Sequence, residues 1–468
     1  MVFPRSSVQI AALCLTLFSS FIYFLSSGSS DPSSTTNLKN RIPGRYLYSP
    51  SLNTNIPLSE SSPTAPSSNL PSVPIEEPPN DPIWDIQNAT LGFQKIYAIS
   101  MPSRTDKRDY LALMGLVSGL EIEFADGVNG SEMHPRSFPS YWKGTVALGD
   151  YGVWRAHMNV YQNMVQNRIQ SALIIEDDAD WDVLLRHQMV EFARGTRAIQ
   201  NASLPMRSPY GDNWDLLALG HIGANNKPNK DQKYWVTQND PTVIAESRRT
   251  WTRKPDVSTP KLAGDHTRIV MEISKFTGAA AYGLSLRGAA TLLYDQALLP
   301  NAQAIDVAML ALCRHDPYGS PFCLGAYPMI FGRYRAIGPE SKDSDRRASS
   351  NEAAAGSGGY QNSNERLQAE SEFTVFSTSL NMWRLMKGEW VLPSCKPETD
   401  LQKEVNLSSF VFPRGQEVLV RPEEYRDFQM ALAEQRKKDE VAKGQQAAKG
   451  EHAEVKKDGV KNVKRWVA

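Results

Sequence analysis

Residues 172–182 read ALIIEDDADWD. Four apolar residues run directly into Glu176, Asp177 and Asp178, and Asp180 and Asp182 follow at alternate positions. A short aliphatic run of this kind predicts a buried strand. Carboxylates crowded at its end raise one another's pKa and cost stability unless a positive charge sits among them. Side chains at i and i+2 of an extended stretch share a side. Glu176 and Asp178 therefore face one site together, with Asp177 on the other side, and Asp178 with Asp180 forms a second such pair. A hard divalent cation neutralises a pair of carboxylates, and oxygen donors suit Mg²⁺ or Mn²⁺. Such metals keep positions open for phosphate oxygens, which fits a nucleoside diphosphate. The competing explanation is a helix N-terminus, where acids meet the macrodipole.

Strand and helix signals alternate outward from this stretch. KIYAIS (95–100) predicts a buried strand, 104–116 a helix, and 121–125 a second strand. Tyr151, Trp154, Met158, Tyr161 and Val165 recur at spacings of three and four, which predicts a helix over 150–167. Strands follow at 171–175, 215–219 and 278–285, the last leading into a helix at 286–294. The alternation predicts an α/β fold with a largely parallel sheet. Ligands of such sheets bind at the carboxyl ends of strands, where the acid cluster sits. Residues 221–276 read as a long polar insertion, and 342–364 as a low-complexity loop.

The flanks differ in kind. VQIAALCLTLFSSFIYFL (8–25) is apolar and follows Arg5, so it is either an uncleaved anchor or a cleaved signal peptide. Either sends the rest of the chain into the secretory pathway. Four N-x-S/T sequons, at Asn88, Asn129, Asn201 and Asn406, agree with a lumenal chain. Residues 28–92 are rich in Pro and Ser and read as an extended stem. The folded head spans 93–422, and 423–468 is a charged tail, disordered or a solvated helix. Net charge is zero over 468 residues, which argues against nucleic acid as the partner. Beyond Cys14, the cysteines are Cys313, Cys323 and Cys395; Cys313 and Cys323 are the closest pair, and spacing alone does not fix a disulfide.

Six blocks, in order, resemble glycosyltransferase family 25, the group of lipopolysaccharide-type glycosyltransferases and procollagen galactosyltransferases. They are IYAISMPSRTDKR (96–108), FADGVNG (124–130), LGDYGVWRAHMNVY (148–161), ALIIEDD (172–178), WDLLALG (214–220) and TGAAAYGLSLRGAATLL (277–293). The chain departs from the family at Ala156, where a Ser usually precedes the helix His, and in the insertion after Gly220. The resemblance implies a GT-A-like, Rossmann-like mixed sheet flanked by helices. It further implies a UDP-sugar donor, Mn²⁺ or Mg²⁺, and inverting hexose transfer, galactose favoured, to a glycan or glycoprotein hydroxyl. The fungal-looking stem is not part of the family pattern; with the apolar segment 8–25 before it, the expected setting is a type II membrane protein of the Golgi or endoplasmic reticulum with a lumenal head.

Carried onto this sequence, the acidic signature makes Asp178 and Glu176 the expected metal ligands, with Asp180 the alternative ligand. Asp177 is expected at the ribose or as a helix cap. Asp306, an acid entering an apolar helix, is the candidate general base or second metal contact; an N-cap is the rival reading. Arg104 and Arg108 share a helix face and suit a diphosphate, with a solvated basic face the rival. Asp126 and Gly127 border the expected nucleoside pocket, or form an ordinary turn. His157 is placed at phosphate or acceptor, with a buried structural role as the alternative. His315 is a weaker metal candidate, and Trp142, Trp154 and Trp214 either stack on a sugar or pack in the core. Two other function classes fit the same acids: a metal-dependent phosphoesterase, and an inactive secretory-pathway binding module.

Overall fold

A computed structural model describes residues 72–438, apart from 140, 141, 143–145, 252, 348–363, 432 and 437. The apolar segment 8–25 and most of the stem lie outside the described residues. Twelve strands among the described residues position the site: β1 (Lys95–Ser100), β2 (Glu123–Asp126), β3 (Ser171–Glu176), β4 (Ala179–Trp181), β5 (Leu216–Gly220), β6 (Gln232–Thr237), β7 (Arg268–Glu272), β8 (Ala281–Ser285), β9 (Cys323–Tyr327), β10 (Phe331–Arg335), β11 (Glu370–Glu372) and β12 (Gln416–Val420). Six helices accompany them: α1 (Thr105–Ser118), α2 (Leu148–Asn167), α3 (Leu185–Gln200), α4 (Leu286–Ala297), α5 (Ile305–His315) and α6 (Thr378–Met386).

Nine of the strands form one sheet in the order β12-β6-β7-β9-β5-β8-β3-β1-β2. Its two faces carry two cores. Tyr97, Ala172, Ile174 and Tyr282 point to the face covered by α2, α4 and α5, where Trp154, Met158, Leu292 and Met309 pack. Ile96, Ala98, Leu173 and Ile175 point to the other face, against Leu111 and Met114 of α1 and Met189 and Phe192 of α3. The unbroken aliphatic run of β3 is explained by this burial on both faces. Each fully buried Leu or Ile there contributes about 1.5–3 kcal/mol. Helix α2 buries Tyr151, Trp154, Met158 and Tyr161, as their spacing predicts, and ends where Arg168 turns left-handed at φ 55°. The start of α2 packs closely on residues 128–130: a Cβ on Gly152 would run into the Val128 carbonyl, and one on Gly130 into that of Leu148.

The α/β class holds, but the sheet is mixed rather than largely parallel. β1 pairs in parallel with β2 and β3, and β9 with β5. β8 enters antiparallel between β3 and β5, and β7 and β6 are antiparallel as well. The reversal of β8 matters for the site. Ala281 lies opposite Ile175, so the approach Gly278–Ala280 arrives at the same sheet edge as the end of β3. A smaller sheet, β11-β10-β4, starts directly after the acid cluster.

Two boundaries move. The 221–276 segment is not a polar loop, because it supplies β6 and β7 to the main sheet. QKYWVT alternates at period two and buries Tyr234 and Val236; RIVME is buried along its whole length. Short strands among long polar flanks escape a composition-based reading. The head also extends past 423: Tyr425 is buried and its hydroxyl lies 2.6 Å from that of Tyr234. Cys313 and Cys323 form a disulfide, and Cys395 remains a thiol whose pKa burial pushes up to about 12.

Asp182 anchors the small sheet to α6. Its carboxylate, 1% exposed, accepts the backbone N–H of Leu184 (3.0 Å) and of Phe376 (2.8 Å). Burial raises its pKa to about 7, against the lowering effect of those two donors. The folded state therefore holds a proton that the unfolded chain releases near pH 4. Stability from this group is present at low pH and is lost as pH rises from about 4 to about 7. Asp182→Asn cannot titrate. Its stability relative to wild type is expected to improve by on the order of 2 kcal/mol between about pH 5 and about pH 8, read from denaturant midpoints. An equal difference at both pH values would mean an ordinary carboxyl.

Candidate active site

The carboxyl ends of β1, β2 and β3 stand side by side, with Ile99 opposite Glu176 and Ser100 opposite Asp126. Beyond β3 the chain turns at Asp177 and Asp178 before β4 begins, and the acids separate there. Asp177 turns to α1, where Lys107 Nζ donates to it at 2.6 Å. Asp178 meets β10, where Arg335 Nη1 donates to Oδ2 at 2.7 Å. Glu176 is held only through its backbone, its N–H donating to the Ala280 carbonyl at 2.9 Å. Its carboxylate accepts no hydrogen bond among the described residues. Burial, and then the neighbouring charges of Asp178 and Asp177, raise its pKa to about 7. Asp177 is raised by burial too, although Lys107 opposes this. Burial disfavours the Lys107 ammonium, but Asp177 and Asp178 outweigh burial and raise its pKa.

The positive charge among the acids thus comes from Lys107 and from the β10 arginines. Arg333 and Arg335 point the same way along β10, and Glu372 of β11 pairs with Arg333 at 2.7 Å. Neither arginine was singled out in the sequence, nor was Lys107. The signal was present: RYR at 333–335 is an i, i+2 pair of the kind used for the acids, and Lys107 lies inside the 96–108 block.

Asp306 joins the same edge. It opens α5, and its Oδ2 accepts the Gly278 N–H at 3.2 Å, two residues before the Ala280 that holds Glu176. Oδ1 accepts the Val307 N–H at 2.9 Å. Its carboxyl is half-buried. His315 is exposed at the far end of the same helix, roughly 14 Å away at the helical rise.

Other expected residues have different tasks. Asp180 is fully buried, and the hydroxyls of Ser371 (2.5 Å), Ser377 (2.6 Å) and Ser379 (2.9 Å) donate to its Oδ2. It joins β4 to the 371–379 segment and is not brought to the open side of the cluster. His157 is buried under β8, Nδ1 lying 2.7 Å from the Tyr282 hydroxyl, which lies 2.7 Å from that of Tyr161. Burial lowers its pKa to about 3, so it is a neutral core residue. Arg108 donates to the Ser100 carbonyl (2.8 Å) and to Asp126 (2.5 Å), and lies over the Phe124 ring. These contacts bind the ends of β1 and β2 together. Gly127 packs on Met101, whose backbone and sulfur a Cβ would meet. Arg104 turns to Asp106 and Asp345. Trp154 and Trp214 are core residues, and Trp142 packs on Tyr151 and Trp154.

No group of three or more His, Cys, Asp or Glu forms a metal cage among the described residues. Glu176 has no hydrogen-bond partner for its carboxylate there, and Asp178 gives Oδ2 to Arg335. Two carboxylates of this kind fit a hard cation that takes its remaining ligands from phosphate and water.

Residues 93–309 match the family described as glycosyltransferase family 25 (LPS biosynthesis protein). The matched stretch contains Glu176, Asp178, Lys107 and Asp306, whereas Arg333 and Arg335 lie beyond it. The chain is 22% identical to procollagen galactosyltransferase 1 of Danio rerio over 48% of its own length and 33% of the relative's. It is 23% identical to a glycosyltransferase 25 family member of Anopheles gambiae, over 35% and 27%. A Bos taurus relative named probable inactive glycosyltransferase 25 family member 3 is 23% identical, over 39% and 29%. The chain spans about a third or less of the length of these curated relatives.

Proposed function

We propose that this protein is a GT-A-like glycosyltransferase that moves a hexose, galactose first, from a UDP-sugar to a hydroxyl of a glycan or glycoprotein, with inversion. The observation that supports it most is the meeting of Glu176, Asp178 and Asp306 at one edge of the sheet, through the reversed strand β8. Glu176 and Asp178 would hold Mn²⁺ or Mg²⁺. Bound there, the cation supplies charge stabilisation for the departing diphosphate.

This chain's own part is positional and acid–base. Asp306 accepts the proton of the acceptor hydroxyl. The hydroxyl oxygen forms its bond to the anomeric carbon as the bond from that carbon to the phosphate oxygen breaks. The electron pair leaves with UDP, and one displacement inverts the centre. Lys107 and Arg335 pair with Asp177 and Asp178 at the rim of the site. The galactose choice follows the names of the relatives. A type II anchor over 8–25, and a lumenal head in the Golgi or endoplasmic reticulum, complete the proposal. The sequon residues Asn88, Asn129, Asn201 and Asn406 are all exposed, as lumenal glycosylation needs.

The test is UDP release by the purified full chain with Mn²⁺ and a panel of sugar nucleotides, with a glycan or glycoprotein acceptor present. Release from one donor, with sugar on the acceptor and loss on EDTA treatment, is expected. UDP binding without turnover of any donor would favour an inactive binding module, in line with the Bos taurus relative. Nucleotide hydrolysis without transfer would favour a phosphoesterase.

A further inference from the structure

We infer that Arg104, Lys107, Arg335 and Arg366 form an anion site that the chain fills with its own Asp343 and Asp345, and that its intended ligand is the diphosphate of a nucleotide. This inference rests on the donor reading above and deepens it. Four long cations meet here from separate parts of the chain. Arg104 and Lys107 start α1, Arg335 ends β10, and Arg366 follows the 348–363 stretch. Their side chains are only 16, 13, 11 and 13% exposed. Basic side chains this buried need anionic partners.

Arg104 also pairs with Asp106, and Arg335 with Glu372, but one short segment supplies an anion to all four cations. Asp345 accepts two bonds from Arg104 Nη1, at 2.6 and 2.8 Å, and lies 3.6 Å from Lys107 Nζ. Asp343 accepts Arg366 at 3.0 and 3.2 Å and lies 3.8 Å from Arg335 Nε. Backbone carbonyls complete the arrangement: Lys342 O takes Arg104 Nη2 at 3.0 Å, and Asp343 O takes Lys107 Nζ at 3.2 Å. Asp345, 40% exposed, lies outermost, with the cations beneath it.

Two of these cations also touch the acids that follow β3, Lys107 at Asp177 and Arg335 at Asp178. The site is therefore continuous with the place proposed for metal and sugar. A diphosphate offers several charged oxygens at one locus, and guanidinium forks bind such oxygens in pairs. It can replace both carboxylates at once. Asp343 and Asp345 are then an internal competitor. If the open form is about a tenth populated, the apparent Kd is raised about tenfold.

The experiment titrates the full chain with UDP, uridine and inorganic pyrophosphate by calorimetry. Asp343→Asn/Asp345→Asn is expected to bind UDP and pyrophosphate about tenfold tighter, with uridine unchanged. Lys107→Met is expected to lose about tenfold in UDP affinity. The single variant Asp345→Asn, at an exposed position, gives a smaller gain and serves if the double variant does not fold. Unchanged or weaker UDP binding in the folded variants overturns the inference, whether or not the wild type turns over a donor. Tighter UDP and pyrophosphate binding without turnover of any sugar nucleotide upholds the anion site and defeats the transferase reading instead. Equal tightening for uridine would also overturn it, since the gain would not lie at the phosphates.

Discussion

Asp178→Asn is expected to lower sugar transfer by about 100-fold or more, an effect worth about 2.7 kcal/mol in the barrier. The substitution keeps shape and leaves an oxygen for the 2.7 Å bond from Arg335. It removes the charge that, with Glu176, would hold a divalent cation against the leaving diphosphate. Lewis-acid stabilisation of that kind is worth several kcal/mol. Asp180→Asn provides the contrast. Its oxygens already receive three serine hydroxyls, so its loss should appear in stability before turnover. UDP release at saturating donor, together with the melting temperature of each variant, separates the two. Near-normal turnover by a folded Asp178→Asn protein would remove Asp178 from the metal and transfer the role to its neighbours.

Arg268→Ala is expected to cost about 3–5 kcal/mol of stability, the range for breaking a buried ion pair by removing one partner. Arg268 is 4% exposed and Asp240 fully buried, and they pair at 2.7 Å. The same guanidinium donates to the carbonyls of Pro328 (2.6 Å), Met329 (2.7 Å) and Thr242 (3.0 Å). The substitution leaves one carboxylate and several acceptors buried without a donor. Pro328 and Met329 are the turn that launches β10, whose Arg333 and Arg335 face the acid cluster. Reduced donor affinity is therefore expected along with the shifted denaturant midpoint. A loss under about 1 kcal/mol would mean that water or a rearranged turn takes over these bonds.

Much of the fold was legible from local pattern. KIYAIS, ALIIE and LLALG are strands because short aliphatic runs buried on two faces have few other outcomes, and the three-and-four spacing of Tyr151, Trp154, Met158 and Tyr161 produced α2. Parallel or antiparallel pairing carries no such local mark, so the reversal of β8 was missed. The strands hidden in 221–276 were missed for a related reason: five or six residues of alternation are diluted by the polar turns around them.

The sequence by itself determined the acids and their place at the end of a strand; the parting of Asp177 from Asp178 is made at a turn, where the extended-chain spacing no longer applies. The sequence also supplied Asp306. Tertiary structure alone decided which charges neutralise the acids. Lys107 reaches Asp177 across 70 residues, Arg335 reaches Asp178 across 157, and Arg104 reaches Asp345 across 241. It likewise made Asp180, the alternative ligand, a structural hub, and gave His157 the buried structural role that was one of its two readings. Ion pairing and desolvation depend on distance and burial in three dimensions, and both are set by how the chain returns to a place, not by which residues stand next to one another along it.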